Sequence, residues 1–286
     1  MKKIAKSIAV CALTMCSFLA NAQQENSLLW EISGNDLEKP SYVFGTIHMI
    51  CGEDYIMTET IKNTLNNVDA YYAEVNFGDP NTVATMQKSM MSDIPLSKRL
   101  APAKYNELKT LLKETVDLDI TQFENFSDAA IVSMITFKSF PCTDFKMYEM
   151  EFLQEAMAQQ KKLGGLETIE EQLELMNNSL GTDAALQMLN DIKKEGFENT
   201  KIMVELYKGQ NIQGLYDFMK NSSYMSDAVY NEMLTKRNHK WINNMPELMK
   251  NESVFFAVGA AHLSGENGVL KLLKENGYKI TPVDIQ

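Results

Sequence analysis

The sequence predicts an α/β protein with a mixed or mostly parallel central sheet built from both ends of the chain, and a large helical insertion. Three observations predict it. Strand, helix and strand patterns follow one another near the N-terminus; the same order returns at the C-terminus; helical periodicity dominates about 82–250 between them. Strand–helix–strand order favours parallel pairing through a crossover helix. No Pro/Ser-rich linker divides these parts, so 23–286 reads as one domain.

Residues 1–22 are set aside first. A basic start, "MKK" with Lys6, precedes an uncharged apolar run from Ile8 to Ala20, and Ala20-Asn21-Ala22 fits a small-x-small cleavage site. This is a secretory signal peptide, removed after Ala22. The run falls short of the roughly 20 apolar residues of a membrane span, and no other stretch approaches that length, so no transmembrane segment is expected after cleavage. Export to the periplasm is the expected localisation, for a two-membrane bacterium. An outer-membrane lipoprotein anchored at Cys16 is the alternative, and the bulky Met15 before that cysteine argues against it.

The elements follow in order. "LLWEI" (Leu28 to Ile32) is a short apolar strand, and "SGNDLEKP" is a turn cluster. "SYVFGT" is the next strand. Ile61 and Leu65 give "TETIKNTLNNV" helix spacing, and "DAYYAEVNF" is a strand ending near Glu74. Pro102 suits the first turn of a helix whose stripe is Leu108, Leu111, Leu112 and Val116. "SDAAIVSMITF" reads as a buried helix and "MYEMEFLQEAMAQQ" as another. "KKLGGLET" reads as a short buried strand ending near Glu167. Thr168 and Glu171 then form a capping box for a new helix. At the end come the strand "SVFFAV", the helix "ENGVLKLLKEN", a stop at Gly277 and the strand "YKITPV".

Charge narrows the function classes. Removing the three leader lysines takes the formal charge from −11 to −14. Such a surface repels phosphate backbones, and no Lys/Arg cluster with interleaved aromatics reverses it, so no nucleic-acid partner is expected. Two of the four cysteines, Cys51 and Cys142, remain after cleavage. In an oxidising compartment they read as a disulfide; a thiolate metal ligand at Cys51 is the alternative.

Two of the three histidines repeat one phrase. His48 ends Gly45-x-x-His48 after "SYVFGT", and His262 ends Gly259-x-x-His262 after "SVFFAV". Loops leaving the carboxyl ends of parallel strands form the ligand site of such sheets, and glycine permits a sharp turn or close approach there. Glu74 and Glu167 also sit at strand ends after apolar approaches. Two imidazoles and a carboxylate, His48, His262 and Glu74, make a hydrolytic metal set. The compact His-Glu-x-x-His motif is absent, as are Gly-x-Ser-x-Gly, Walker and Cys-x-x-Cys patterns. His239 reads as a surface residue; from position alone Arg237 also reads as a solvated helix face, with binding of a carboxylate or an oxyanion as its functional reading.

At these residues the chain resembles the TraB/GumN family, also called TraB/PrgY/GumN, which is similar to the TIKI metalloproteases. The resemblance runs from "LLWEISG" to "YKITPVD" through "SYVFGTIHMI", "YYAEVNF", "GGLETIEEQ", "RNHKWINNM" and "FFAVGAAHLSGENGVLKLLKENGYKITPV". It implies an active-site set falling on His48, Glu74 and His262. The "RN" block falls on Arg237 and Asn238, and the "GLET…Q" block on Glu167 and Gln172. Many family members carry Asp where this chain has Glu149 in "YEMEFL". The wider group is similar to erythromycin-esterase-like hydrolases and a haem-binding protein, which implies histidines clustered at one sheet edge.

The expectation is an exported, metal-dependent, peptidase-like hydrolase. His48, Glu74 and His262 hold a divalent cation (Mn, Co or Zn), Glu167 orders the site or acts as base, and Arg237 stabilises an oxyanion; the resemblance adds Glu149, Gln172 and Asn238 as substrate-binding residues. A metal-free variant makes His48 the general base. The alternative class is a non-catalytic exported binding protein for a peptide signal or haem. The expected partner is a peptide or other small substrate; oligomeric state is not legible.

Overall fold

The computed structural model describes residues 26–223 and 225–286. The expected signal peptide and Cys16 lie outside the described residues. Eight strands occur among these: β1 (Leu29–Ser33), β2 (Ser41–Thr46), β3 (Ile50–Cys51), β4 (Ala70–Ala73), β5 (Phe145–Lys146), β6 (Lys162–Gly165), β7 (Val254–Gly259) and β8 (Lys279–Val283). Six form one sheet in the order β6-β4-β7-β2-β1-β8. The neighbours β6, β4, β7 and β2 run parallel, while β1 pairs antiparallel with both β2 and β8. The protein is therefore mixed α/β with a mostly parallel sheet drawn from both ends of the chain.

The centre of the sheet is β7, flanked on both sides by parallel partners. Its residues Val254 to Val258 are all buried, as expected of a strand covered on both faces. Phe44 of β2 and Phe255 of β7 meet Phe152, with ring centroids 5.2 and 5.1 Å away. Phe152 comes from the helix Tyr148–Ala158, which packs its buried Tyr148, Phe152, Leu153 and Ala156 against the sheet.

The helical middle keeps its own apolar cluster. Leu108, Leu111, Leu112 and Val116 of the helix Pro102–Val116 pack with Ile131 and Ile135 of Asp128–Lys138 and with Leu189 of Thr182–Glu195. Pro102 opens its helix, and Thr168 with Glu171 closes both halves of the capping box at the helix Ile169–Ser179. Two short strands, β5 and β6, interrupt the helical run. The expectation that "KKLGGLET" is a buried strand needs correction: β6 is an edge strand, half-exposed along Leu163 to Gly165, because only β4 pairs with it.

Cys51 and Cys142 form a disulfide, which removes the thiolate-ligand alternative for Cys51. The bridge clips the β3–β5 ribbon, where Cys51 lies opposite Phe145. Among the described residues no helix is long and apolar enough to cross a membrane.

Candidate active site

The four parallel strands end on one edge of the sheet, and each hands over a polar side chain. Glu74 follows β4, Glu167 lies two residues past β6, His262 three past β7, and His48 two past β2. Pairing continues beyond the strands on one side: Leu166 N–H donates to the Ala73 carbonyl (3.0 Å) and Glu167 N–H to the Glu74 carbonyl (2.9 Å). This fixes Glu74 and Glu167 as neighbours.

The two glycine motifs are not in step. Thr46, not Gly45, lies opposite Gly259 in the register. After β7 the chain coils into a 3-10 turn, Ala260–His262, which packs onto β2. A Cβ at Gly45 would stand 2.8 Å from a Leu263 methyl and 3.0 Å from the Ala260 Cα. Gly45 is thus needed for close approach by the other motif's turn. Gly259 puts its N–H on Glu74 Oε1 at 2.8 Å.

Arg237 is the hub. It begins the helix Arg237–Asn251, straight after a π-helical turn, Asn231–Lys236. Its Nε donates to Glu167 Oε2 (3.1 Å). One terminal nitrogen, Nη2, donates to Glu167 Oε1 (2.6 Å) and to Glu74 Oε2. The other, Nη1, donates to the Met233 carbonyl (3.1 Å) and to His262 Nε2 (3.0 Å). A guanidinium has five N–H groups, and these five contacts use them all. Gln172 Nε2 bridges the same two acids, at 3.2 Å from Glu74 Oε2 and 3.1 Å from Glu167 Oε1.

Asn238, next in the helix, sets the state of His262. Its Nδ2 donates to the carbonyls of His262 (3.2 Å) and Asn267 (2.7 Å). Its Oδ1 therefore faces His262 Nδ1 at 2.6 Å and accepts from it. The imidazole carries its proton on Nδ1 and offers the Nε2 lone pair to Arg237. Burial and then the Arg237 charge push its pKa down to about 3, so it is neutral. Trp241, fully buried, covers the group: its ring lies 4.5 Å from the His262 ring and 4.8 Å from the Arg237 guanidinium carbon.

The acids are also tuned. Burial raises Glu74, yet Arg237, His262, His48 and the Gly259 N–H together hold it well below the usual carboxylate range. Burial also raises Glu167, and there Arg237 offsets only part of the effect.

His48 stands differently. Its side chain is 74% exposed, and Nδ1 lies 3.0 Å from Oε1 of the buried Glu149. Thr46 Oγ1 donates to the same oxygen at 2.8 Å. The Glu149 carboxylate is the main cause that raises His48 above its ordinary pKa, to about 9, and Glu74 adds to it while Arg237 opposes; solvent around the exposed ring screens the pair. His48 is close enough to feel both Glu74 and Arg237.

Glu74, Glu167, Gln172, Arg237, Asn238 and His262 thus form one hydrogen-bonded network. His48 and Glu149 form a separate pair beside it. His239 is exposed and bonds Asn267 Oδ1 at 3.1 Å. Sequence reasoning passed over Thr46 and Trp241. The second had a signal: it lies four residues after Arg237, on the same helix face.

A sheet that gathers imidazole, carboxylate and guanidinium groups where its parallel strands end defines an α/β protein of the site-bearing kind, with ionisable groups set to different protonation states. The chain belongs to the TraB/PrgY/gumN family, whose model matches residues 28–282. It is similar to proteins named metalloprotease TIKI2 and metalloprotease TIKI1 of Xenopus tropicalis, at 22% and 24% identity over 327 residues, and to metalloprotease TIKI1 of Homo sapiens, at 23% over 329. These alignments cover 93% of this chain but only 61–63% of the relatives. The chain therefore spans about three fifths of the length of the curated relatives it matches. No solved structure matches it.

Proposed function

We propose that this chain is an exported, peptidase-like hydrolase in which His48 is the acid–base group. One observation carries the reading: an exposed imidazole is held through Nδ1 by a buried carboxylate, Glu149. With Nδ1–H donated to Glu149, the ring, once neutral above its raised pKa of about 9, keeps its lone pair on Nε2, which has no partner among the described residues. In hydrolysis, Nε2 takes a proton from water as the water oxygen bonds to the substrate carbonyl carbon. The imidazolium then returns that proton to the leaving amine as the C–N bond breaks. Glu149 fixes the tautomer and stabilises the charged ring.

The printed name of the relatives supports a peptide substrate, and the disulfide supports an oxidising compartment. The periplasm remains the proposed location, and a peptide or other small molecule the proposed substrate. The acids and His262 brace the site and set its field. Arg237 has no N–H left for an oxyanion, so that role is not assigned to it.

A divalent cation does not fit these residues as they are arranged. Both nitrogens of His262 are engaged, by Asn238 and Arg237. Both oxygens of Glu74 are engaged, by Gly259, Gln172 and Arg237. Among the described residues no three His, Cys, Asp or Glu side chains converge to hold a metal ion. The proposed steps therefore use only the chain's own groups.

A peptide-library cleavage screen on wild type, His48→Ala and Glu149→Gln tests this. We expect cleavage by wild type, unchanged by chelator, and a loss of at least about 100-fold in His48→Ala. No cleavage, or cleavage unaffected by His48→Ala, would sink it. The saturation of Arg237 favours a second reading, an exported peptide- or haem-binding protein. That reading predicts saturable binding without turnover.

A further inference from the structure

We propose that Arg237 is the resident cation of the strand-end site, and that it occupies the place a divalent metal would need. The inference does not depend on whether the chain hydrolyses peptides.

The acceptors around the guanidinium support it. Four of the five are atoms that also ligate hard or borderline metals: Glu74 Oε2, both oxygens of Glu167, and His262 Nε2. They all point at Arg237 rather than at a common empty point. The fifth, the Met233 carbonyl, belongs to the π-helical turn that introduces the arginine. The Trp241 ring closes over the cation. The group is held by hydrogen bonds, backbone and an aromatic face at once.

Arg237 suits this place for physical reasons. A guanidinium stays charged at every working pH and meets carboxylates in a planar fork. Its Nε and Nη2 make that fork with Glu167, and Nη2 also reaches Glu74. Between two buried acids and a neutral imidazole, it supplies the positive charge that burial of the acids demands.

The same geometry predicts what removal does. His262 Nε2 and Glu74 Oε1 lie 3.8 Å apart. Ligand atoms about 2.1 Å from a tetrahedral metal stand about 3.4 Å from one another. With the guanidinium gone, small side-chain movements let Glu74, Glu167 and His262 share one ion. Arg237→Met removes the charge and keeps an unbranched chain. It should convert an arginine site into a metal site.

The test is Co²⁺ binding to untagged, chelator-stripped protein, read by visible absorption and calorimetry, with a thermal melt to verify folding. Wild type is expected to show no site that depends on Glu74. Arg237→Met is expected to bind one equivalent at least about 100-fold more tightly than wild type. Adding His262→Ala to that variant should abolish the gain and change the absorption bands. A folded Arg237→Met that binds no better than wild type overturns the proposal. If that variant does not fold, Arg237→Gln takes its place, with the same two outcomes. Wild type alone also decides: one Co²⁺ per chain, lost in Glu74→Gln, would show that the metal coexists with or displaces the arginine, and the proposal fails. Because the readout is binding, its failure is distinct from failure of the peptidase reading, which the cleavage screen registers.

Discussion

Gly45-Thr46-Ile47-His48 and Gly259-Ala260-Ala261-His262 repeat one pattern at the ends of neighbouring parallel strands. Their histidines end in opposite states. His48 is exposed, paired with a carboxylate and pushed up to about 9; His262 is buried, paired with an amide and an arginine and pushed down to about 3. The motif delivers an imidazole to the sheet edge. What surrounds the ring then decides its charge. The difference begins in the backbone, since β7 coils into a 3-10 turn that folds over Gly45, while the chain after β2 enters the disulfide-clipped ribbon at Ile50.

The largest expected effect comes from breaking the His262 side at its hub. Arg237→Ala leaves two buried carboxylates without their cation and should cost about 3–5 kcal/mol in denaturant unfolding. The same variant should raise the His262 pKa, because the Arg237 charge is one of the two main causes that lower it. Imidazole titration by NMR checks this. An unchanged His262 would mean that burial alone keeps it neutral.

The next effect lies on the other side. Replacing Cys51 and Cys142 by serine opens a loop closed over a sequence separation of 91. The expected loss is up to about 4 kcal/mol on the chain-entropy account, measured by urea unfolding. Wild type treated with reductant should match the double variant. The His262 titration should stay put, since its network does not touch the ribbon.

Asn238→Ala sharpens the comparison at the tautomer. It leaves the His262 Nδ1–H buried and unpartnered, an expected cost of about 1–3 kcal/mol. Nitrogen shifts of the ring report whether the proton still sits on Nδ1.

The two histidines should also tilt the pH dependence of stability in opposite directions. His262 takes a proton in the unfolded chain below its ordinary value of 6.5 but not in the folded one until about 3. Its contribution is therefore complete above 6.5 and is lost as pH falls toward 3. His48 binds its proton more tightly when folded. Its contribution is complete below 6.5 and lost as pH rises through about 9, reduced by solvent screening. The smallest effect is Glu149→Gln, which should return His48 toward 6.5. If His48 is the base, the pH at which cleavage reaches half its plateau moves down with it.

Much of the sheet was legible because strands buried on both faces write themselves as continuous apolar runs. "SYVFGT" and "SVFFAV" are such runs, and their observed spans begin or end within one residue of the reading. Pro102 and the Thr168–Glu171 box marked helix starts because capping chemistry is local. The β3–β5 ribbon was not legible, because two-residue strands carry no periodicity, although the Cys51–Cys142 bridge beside it was read from the cysteine count. The site divides the same way. His48, Glu74, Glu167 and His262 stood out by their place after strands. That Arg237 would spend all five N–H groups on that site was hidden, because the π-helical turn that aims it leaves no mark in residue types. The difference between the two histidines was hidden too, since it arises from partners about a hundred residues or more away for His48 and from the coiled turn for His262.

The strand order has a consequence for how the chain assembles in time. β7, at the centre of the sheet, is the seventh of the described strands to leave the ribosome, and its pairing partners β2 and β4 precede it by about two hundred residues. Until Val254 to Gly259 are present, β2, paired only to β1, and β4, paired only to β6, each leave one edge open, and the two are meant to lie about 10 Å apart, two strand spacings with nothing between. No fragment ending before β7 can close this sheet, and a nascent chain must keep both edges open until Val254 to Gly259 have been made. Such late, long-range closure folds slowly and exposes strand edges to aggregation. A stop codon anywhere before Val254 should therefore yield an insoluble product rather than a smaller folded protein, however complete the helical middle.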